Sequence, residues 1–427
     1  MKYFRSKILT YSLIAALSLA LLAPFAGQAH AFPLKDLIKA EDQARASKVL
    51  DTIGSILIGK DKWLVLKDFR NWSSEKYTSD NNDKFDIQIQ QSSPTHFPEN
   101  SKKEFIGFYA EWWGEDTSSF SSLAKHTDII QTIAPFWATL DANAEIRNRG
   151  GNDHASVVKF AKENNVEVLL LINNEKKEGD NPPIQKVLSN PALRTKAINN
   201  IEAYLKQYGL HGVNIDFEII PPGQKDNLTA FMQELYSKLK PQGYVVSIDV
   251  FPKQNETIDI SIAYDYEKLS KYADKIMIMT YDNHGRWSGA GPVAGIAWVE
   301  NNLRYALKFI PKEKLYLGIA AYGYDWSYVN GEKKVDFLDY NMVMERVKKY
   351  NAAIKWDTPS QSPYFIYVDS NGVKHTVWFE NSYSVKFKLD LIKKYDIAGA
   401  AMWKLGEEDP EYWNLFKDMF KNKRRLD

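Results

Sequence analysis

The sequence predicts an α/β fold: a (β/α)8 TIM barrel with a small α+β insertion after its seventh strand. Three observations predict it. From residue 104 onward, eight short apolar runs alternate with amphipathic stretches of helical period. Most intervals between the runs suit a single crossover helix, as parallel neighbouring strands require. One interval, Ala320 to Ile397, is too long for one helix and carries a hairpin signature of its own. A doubly wound sheet is the alternative, and the count of eight strands favours the barrel.

Residues 1–31 read as a signal peptide. Lys2, Arg5 and Lys7 form a positive start. Ile8 to Leu22 is apolar apart from Thr10, Tyr11, Ser12 and Ser18, and Ala29-His30-Ala31 fits a small-x-small cleavage site. The apolar run is short for a span and Pro24 follows it, which favours cleavage over an uncleaved anchor. Cleavage removes three cations and no carboxylate, moving the formal charge from +1 to −2. No later segment approaches about 18 apolar residues, so a secreted, extracellular chain without stable membrane insertion is expected. Within 32–103, Leu34, Leu37 and Ile38, then Val49, Leu50, Ile53, Ile56 and Leu57, recur at helical spacing. Residues 71–103 are polar, contain Pro94 and Pro98, and read as a linker.

The barrel is expected over 104–420. Its strands are Phe105–Tyr109, Ile129–Trp137, Val166–Asn173, Gly212–Glu218, Tyr244–Phe251, Ile276–Asp282, Leu315–Ala320 and Ile397–Trp403. Helices are expected at 154–164, 191–208, 225–240 and 298–308. In the long interval, Tyr364–Val368 and Val373–Phe379 flank the turn Asp369-Ser370-Asn371-Gly372, which places the insertion at about 327–385.

Composition narrows the function. The chain lacks cysteine, which excludes disulfides, thiol nucleophiles and thiolate metal sites. Its near-neutral charge offers no electrostatic footprint for nucleic acid. With 12 Trp, 24 Tyr and 21 Phe, aromatic clefts are available for ligands with flat apolar faces, sugar rings among them; a large core uses the same residues.

The fourth strand carries the chemistry. In His211-Gly212-Val213-Asn214-Ile215-Asp216-Phe217-Glu218, alternation turns Val213, Ile215 and Phe217 toward the helices. Asn214, Asp216 and Glu218 then form a column facing the lumen. Two carboxylates inside a barrel are costly unless hydrogen-bonded or functional, and their proximity raises the pKa of one. Glu218, nearest the mouth, is the expected proton donor. A buried polar network and a metal site are the competing readings; no paired histidines support the second, which would have to recruit His211 or His284. On the sixth strand Met277, Met279 and Tyr281 face inward, bringing a phenol near the carboxylates. Trp403 ends the eighth strand, where an indole can form an apolar floor beneath a sugar.

These residues match a known pattern. His211 to Glu218 resembles the DxxDxDxE signature of glycoside hydrolase family 18, the chitinase family. Met279-Thr280-Tyr281-Asp282 resembles its sixth-strand motif, and Trp403 its eighth-strand tryptophan. The resemblance covers about residues 104–420. Asn214 to Glu218, Ala321-Tyr322-Gly323-Tyr324-Asp325-Trp326, Trp378-Phe379-Glu380 and Trp403-Lys404-Leu405-Gly406 resemble its bacterial spore-germination and cortex-lytic branch. His211 and Asn214 depart from the signature, each standing where it has Asp. Asn214 cannot share a proton with Asp216, but its amide can donate a hydrogen bond.

The resemblance implies a retaining, substrate-assisted glycosidase acting on β-1,4 bonds beside N-acetylglucosamine. Glu218 is the implied acid and base, Asp216 the group that orients the 2-acetamido N–H, and Tyr281 the donor to its oxygen. Asn214 and Asp282 are expected among the substrate contacts, with Trp403 under the sugar and Trp113, Trp137, Tyr322 and Trp326 lining subsites. No cofactor and no metal are expected. The implied partner is an N-acetylglucosamine-containing glycan, from chitin-type oligosaccharides or peptidoglycan, bound by a monomer. Cell-wall or spore association is one form the extracellular location can take. The competing class is a non-catalytic glycan-binding protein on the same barrel, usually marked by loss of the acid that Glu218 here supplies.

Overall fold

Apolar runs buried on both faces need helices outside and packed side chains inside, and a closed parallel barrel supplies both. The computed structural model describes residues 103–112, 116–149, 154–175, 183–257 and 259–420. Apart from Lys103, the expected signal peptide, helix and linker lie outside the described residues.

The chain enters the barrel with β1 (Glu104–Tyr109) and β2 (Thr132–Leu140), followed by a short antiparallel partner of β2, β3 (Ile146–Asn148). Then come β4 (Glu167–Asn174), β5 (Gly212–Asp216), β6 (Val245–Val250), β7 (Lys275–Ile278) and β8 (Leu315–Ala320). An added antiparallel sheet holds β9 (Tyr322–Val329), β10 (Glu332–Asp339), β11 (Lys355–Asp357), β12 (Ser362–Val368) and β13 (Lys374–Phe379), in the order β10-β9-β13-β12-β11. Strand β14 (Gly399–Trp403) pairs parallel with both β8 and β1, and β1 pairs parallel with β2, so eight parallel strands close.

All eight expected strands are present, with two shortened ends that matter. The ladder of β5 stops at Asp216 and that of β7 at Ile278, so Glu218 and Asp282 stand on the loops beyond. The expected helices occur as His154–Glu163, Pro191–Tyr208, Lys225–Leu239 and Ile296–Ala306. Pro191–Tyr208 shows why the boundaries were readable. Asn190 Oδ1 accepts from the N–H groups of Ala192 and Leu193, Pro191 takes the first position, and Gly209 ends the helix at φ 62°.

The insertion sheet begins at Tyr322, with only Ala321 between it and β8, rather than at 327. Its own core of Leu338, Phe365, Val377 and Phe379 packs with Met342 and Val343 of helix Tyr340–Tyr350.

Two apolar layers build the barrel. Outside, Val213, Ile215, Ile248, Ile276 and Leu317 pack with the helices. Inside, Ile106, Phe108, Ala134, Phe136, Leu171, Met277, Tyr316 and Ala401 fill the lumen. Its N-terminal end is closed by Glu104, which accepts from Lys275 Nζ (2.5 Å), Tyr316 Oη (2.5 Å) and Thr132 Oγ1 (2.6 Å). Burial works against that carboxylate, and the Lys275 ammonium with these bonds still holds its pKa below the usual value. The lumen is therefore sealed below and can open only at the C-terminal ends of the strands.

Candidate active site

The column predicted on β5 is present. Val213, Ile215 and Phe217 are buried among helix residues, while Asn214 and Asp216 turn inward. Glu218 follows, half-buried at the rim. Its main chain is clamped by Asn174 of β4: Glu218 N–H donates to Asn174 Oδ1 (2.7 Å) and Asn174 Nδ2 donates to Glu218 O (3.1 Å). Tyr264 Oη holds the preceding carbonyl, Phe217 O, at 2.6 Å. A side chain just beyond a ladder thus has a fixed origin.

Beneath Asp216, Asn214 is fully buried and its amide is committed at both ends. Ser247 Oγ donates to Asn214 Oδ1 (2.8 Å), and Asn214 Nδ2 donates to Asp249 Oδ2 (2.6 Å). Asp249 is a further lumen carboxyl, contributed by β6. Burial pushes its pKa well above the usual carboxylate range, the Asn214 bond opposes this, and the charge of Glu218 adds to it. Asp249 Oδ1 is buried without a hydrogen-bond partner among the described residues. A neutral carboxylic acid is the form such a site tolerates.

Beyond β7, Tyr281 and Asp282 point into the mouth. Gly318 makes room for Tyr281: a Cβ there would stand 3.0 Å from its ring and 2.5 Å from Ile278 O. Burial, with the neighbouring carboxyls of Asp216, Asp282 and Glu218 adding to it, pushes the Tyr281 phenol well above its usual pKa, so it remains an O–H donor. Asp282 adopts φ 60° and accepts from Tyr322 Oη (2.7 Å) and Tyr324 Oη (2.9 Å) of the insertion sheet. Burial raises its pKa to about 6, against the pull of the two phenols.

Trp403, half-buried at the end of β14, rests on an aromatic cup. Its ring lies 5.5 Å from Phe108, 6.1 Å from Phe136 and 6.4 Å from Trp112, centroid to centroid. These groups surround a cavity of 240 Å³ whose wall includes Asp216, Glu218, Asp249, Tyr281, Asp282, Tyr322, Tyr324, Phe337 and Trp403. A more open depression of 350 Å³ between helices His154–Glu163 and Pro191–Tyr208 has Glu163 as its single carboxylate and offers no comparable chemistry. Among the described residues, no three His, Asp or Glu side chains are arranged to hold a metal ion. His211 lies at the start of β5, away from the mouth, where its Nδ1 accepts from Val168 N–H (3.0 Å) and burial lowers its pKa.

Asp216, Glu218, Tyr281, Asp282, Tyr322 and Trp403 therefore converge. Three expected contacts do not. Trp137 is fully buried on the outer side, stacked on His154 at 4.0 Å, because Ala134 and Phe136 take the lumen positions of β2. Trp326 is buried in the insertion, where its Nε1–H donates to Gly285 O (3.2 Å). Asn214 is fully buried and does not line the cavity, its amide bonded to Ser247 and Asp249. Trp113 lies outside the described residues.

A family model, "Glycosyl hydrolases family 18", matches residues 104–408. The chain belongs to this family. It is 31% identical over 307 residues to an uncharacterized glycosylase, YvbX, of Bacillus subtilis (strain 168), covering 71% of this chain and 88% of that protein. It is 31% identical over 308 residues to the cortical fragment-lytic enzyme of Bacillus anthracis, covering 70% and 71% of the two chains. The crystal structure of the Bacillus megaterium QM B1551 spore cortex-lytic enzyme SleL is similar, with a TM-score of 0.69 at 27% identity over 77% of each chain. The chain is accordingly a family 18 glycosidase.

For this glycosidase, sequence reasoning passed over Asp249, Phe108, Tyr324 and Phe337. The first had a usable signal. In Val245-Val246-Ser247-Ile248-Asp249-Val250 the same alternation turns Ser247 and Asp249 inward. Phe337 had none, because its place depends on how the insertion sheet leans over the barrel.

Proposed function

We propose that this glycosidase cleaves β-1,4 bonds beside N-acetylglucosamine in peptidoglycan glycan, with retention, using the substrate's own 2-acetamido group. The observation that carries this reading is the placement of Asp216 and Glu218. Asp216 ends β5, Glu218 follows two residues later, and both face the same cavity. A protein nucleophile would have to approach the anomeric carbon from the face opposite the acid. Asp216 rises from the same column as Glu218, Asp249 favours the neutral form, and Asp282 is occupied by two phenols.

Glu218 protonates the leaving oxygen. The acetamido oxygen attacks its own anomeric carbon. Asp216 accepts the acetamide N–H and balances the positive oxazolinium ion. Tyr281 donates to the acetamido oxygen, and Trp403 carries the sugar ring. Water then opens the ring with Glu218 as base, and the second inversion restores the β configuration. The relatives named as cortical fragment-lytic and spore cortex-lytic enzymes favour peptidoglycan over chitin. The signal-like residues 1–31 favour secretion.

Mass spectrometry of products from chitooligosaccharides and from purified peptidoglycan, run side by side, tests the reading. Faster release of N-acetylglucosamine-ended fragments from peptidoglycan is expected. Binding to both polymers with turnover of neither would replace it by a glycan-binding role.

A further inference from the structure

Arg149 is a cation at the mouth that the reaction above does not use. It follows β3, and its N–H donates to Trp137 O at 2.7 Å, which fixes its main chain beside the outer half of β2. Its guanidinium carbon lies 3.9 Å above the centroid of Phe136. Phe136 is a lumen residue and part of the cup under Trp403, so the charge stands over the wall of the cleft.

Two residues earlier, Arg147 is paired with Asp141 (3.1 Å) and Glu175 (3.3 Å). Arg194 and Arg346 are likewise paired, with Glu234 and Asp325. The guanidinium of Arg149 is half-buried and makes no hydrogen bond or ion pair among the described residues. Burial lowers its pKa to about 10, with Asp216 the carboxylate that opposes the shift, so it stays charged at neutral pH.

A planar cation whose five N–H donors are unengaged among the described residues, partly dehydrated and stacked on a ring, suits a carboxylate that arrives with the ligand. We propose that Arg149 is a specificity-determining residue that binds a carboxylate on the sugar adjoining the cleaved N-acetylglucosamine. This rests on the reading under Proposed function. In peptidoglycan strands freed of stem peptides the lactyl ether of the neighbouring sugar supplies such a group, which is an amide where a peptide is attached; chitin has none.

The test uses the full chain and four substrates: chitohexaose, glycan strands stripped of stem peptides, the same strands with their lactyl carboxylates converted to methylamides, and strands bearing peptides. For wild type, kcat/KM on free-carboxylate strands should exceed that on methylamidated strands, and the excess should shrink as salt rises. Arg149→Gln should lower the ratio of kcat/KM for carboxylate strands to that for chitohexaose about tenfold or more, mainly through KM, because a charge-assisted hydrogen bond is lost. Arg149→Lys should restore part of it.

Equal losses on all four substrates, or no loss on any, would overturn the assignment. An effect confined to peptide-bearing strands would overturn it in favour of a stem-peptide carboxylate. Should Arg149→Gln fail to fold, the wild-type preference and Arg149→Lys decide. Turnover of all substrates without preference sinks this inference alone. Turnover of none sinks the proposed function as well.

Discussion

Asn214 donates its amide N–H to Asp249 across 2.6 Å, joining β5 to β6 directly beneath the active cavity. The amide stands where the family signature has a carboxyl, and a carboxyl stands on the neighbouring strand. With Ser247 on the other end of the amide, the three side chains form a polar layer between the apolar lumen and the reacting groups. Asp216 sits two residues above Asn214 on the same column.

The protonation of Asp249 has a measurable cost. Its native pKa is raised, while in the unfolded chain it ionises near the ordinary 3.8. The stability linked to its proton is therefore full below about pH 4 and lost as pH rises toward the native value. Asp249→Asn, whose side-chain oxygen can still accept from Asn214, removes that loss. Its Tm gain over wild type should be greater at pH 8 than at pH 4 in parallel melts. A gain independent of pH would mean that folding does not raise the Asp249 pKa.

Glu218→Gln should abolish turnover while glycan binding persists. The amide has nearly the same shape but no proton to deliver, and general acid catalysis is worth about 10²–10⁴-fold. Kinetics and calorimetric binding on one preparation check this. Near wild-type rates would remove Glu218 from its role.

The acetamido group must supply the attack if no protein carboxylate does. Fully deacetylated chitosan should therefore not be cleaved, and N-acetylglucosamine thiazoline should inhibit competitively. The first product should be the β anomer, read by NMR within minutes of mixing. An initial α product would falsify the substrate-assisted step.

Tyr322 and Tyr324 both donate to Asp282 and hold its pKa down to about 6 against burial. Tyr322→Phe deletes one donor to the ionised form, so the titration of Asp282 should move above 6, as followed by carbon NMR of labelled aspartate carboxyls. In wild type, the stability linked to this proton is present below pH 4 and lost as pH rises through 6. Asp282→Asn should escape that loss, so its stability relative to wild type should rise between pH 4 and 6 and level off above.

Two tryptophans of the barrel strands should fail in different ways. Trp137 is fully buried, stacked on His154 and bonded through Nε1–H to Glu111 Oε2 at 3.3 Å. Trp137→Ala should cost about 3–5 kcal/mol of stability. Trp403→Ala should instead lower kcat/KM about tenfold or more, equivalent to about 1.4 kcal/mol of transition-state stabilisation, with a smaller loss of Tm. Denaturant melts and kinetics on both variants separate the two. A stable, slow Trp137→Ala enzyme would reverse the assignment.

The barrel was legible because its signals are local. Apolar runs of strand length, helices bounded by features such as Asn190 and Gly209, and the period of two on β5 need only neighbouring residues to be read. The inward column of Asn214, Asp216 and Glu218 follows from that period alone. The same rule, applied to β2 and β6, would have turned Trp137 outward and Asp249 inward. Those two were readable in the sequence and passed over.

The order of elements and the face of each strand that meets the lumen follow from backbone geometry and hydrophobic period, both of which are written along the chain. Which side chains meet across strands distant in sequence is settled only by how the folded strands and sheets are placed. Asp249 reaches Asn214 because parallel register sets β6 beside β5. Tyr322 and Tyr324 reach Asp282 because β9 leaves the barrel straight from β8 and carries its sheet over the mouth. Arg149 reaches Phe136 because β3 folds back along β2. Each contact depends on register and on the lean of one sheet against another, and no periodicity within a single segment encodes either.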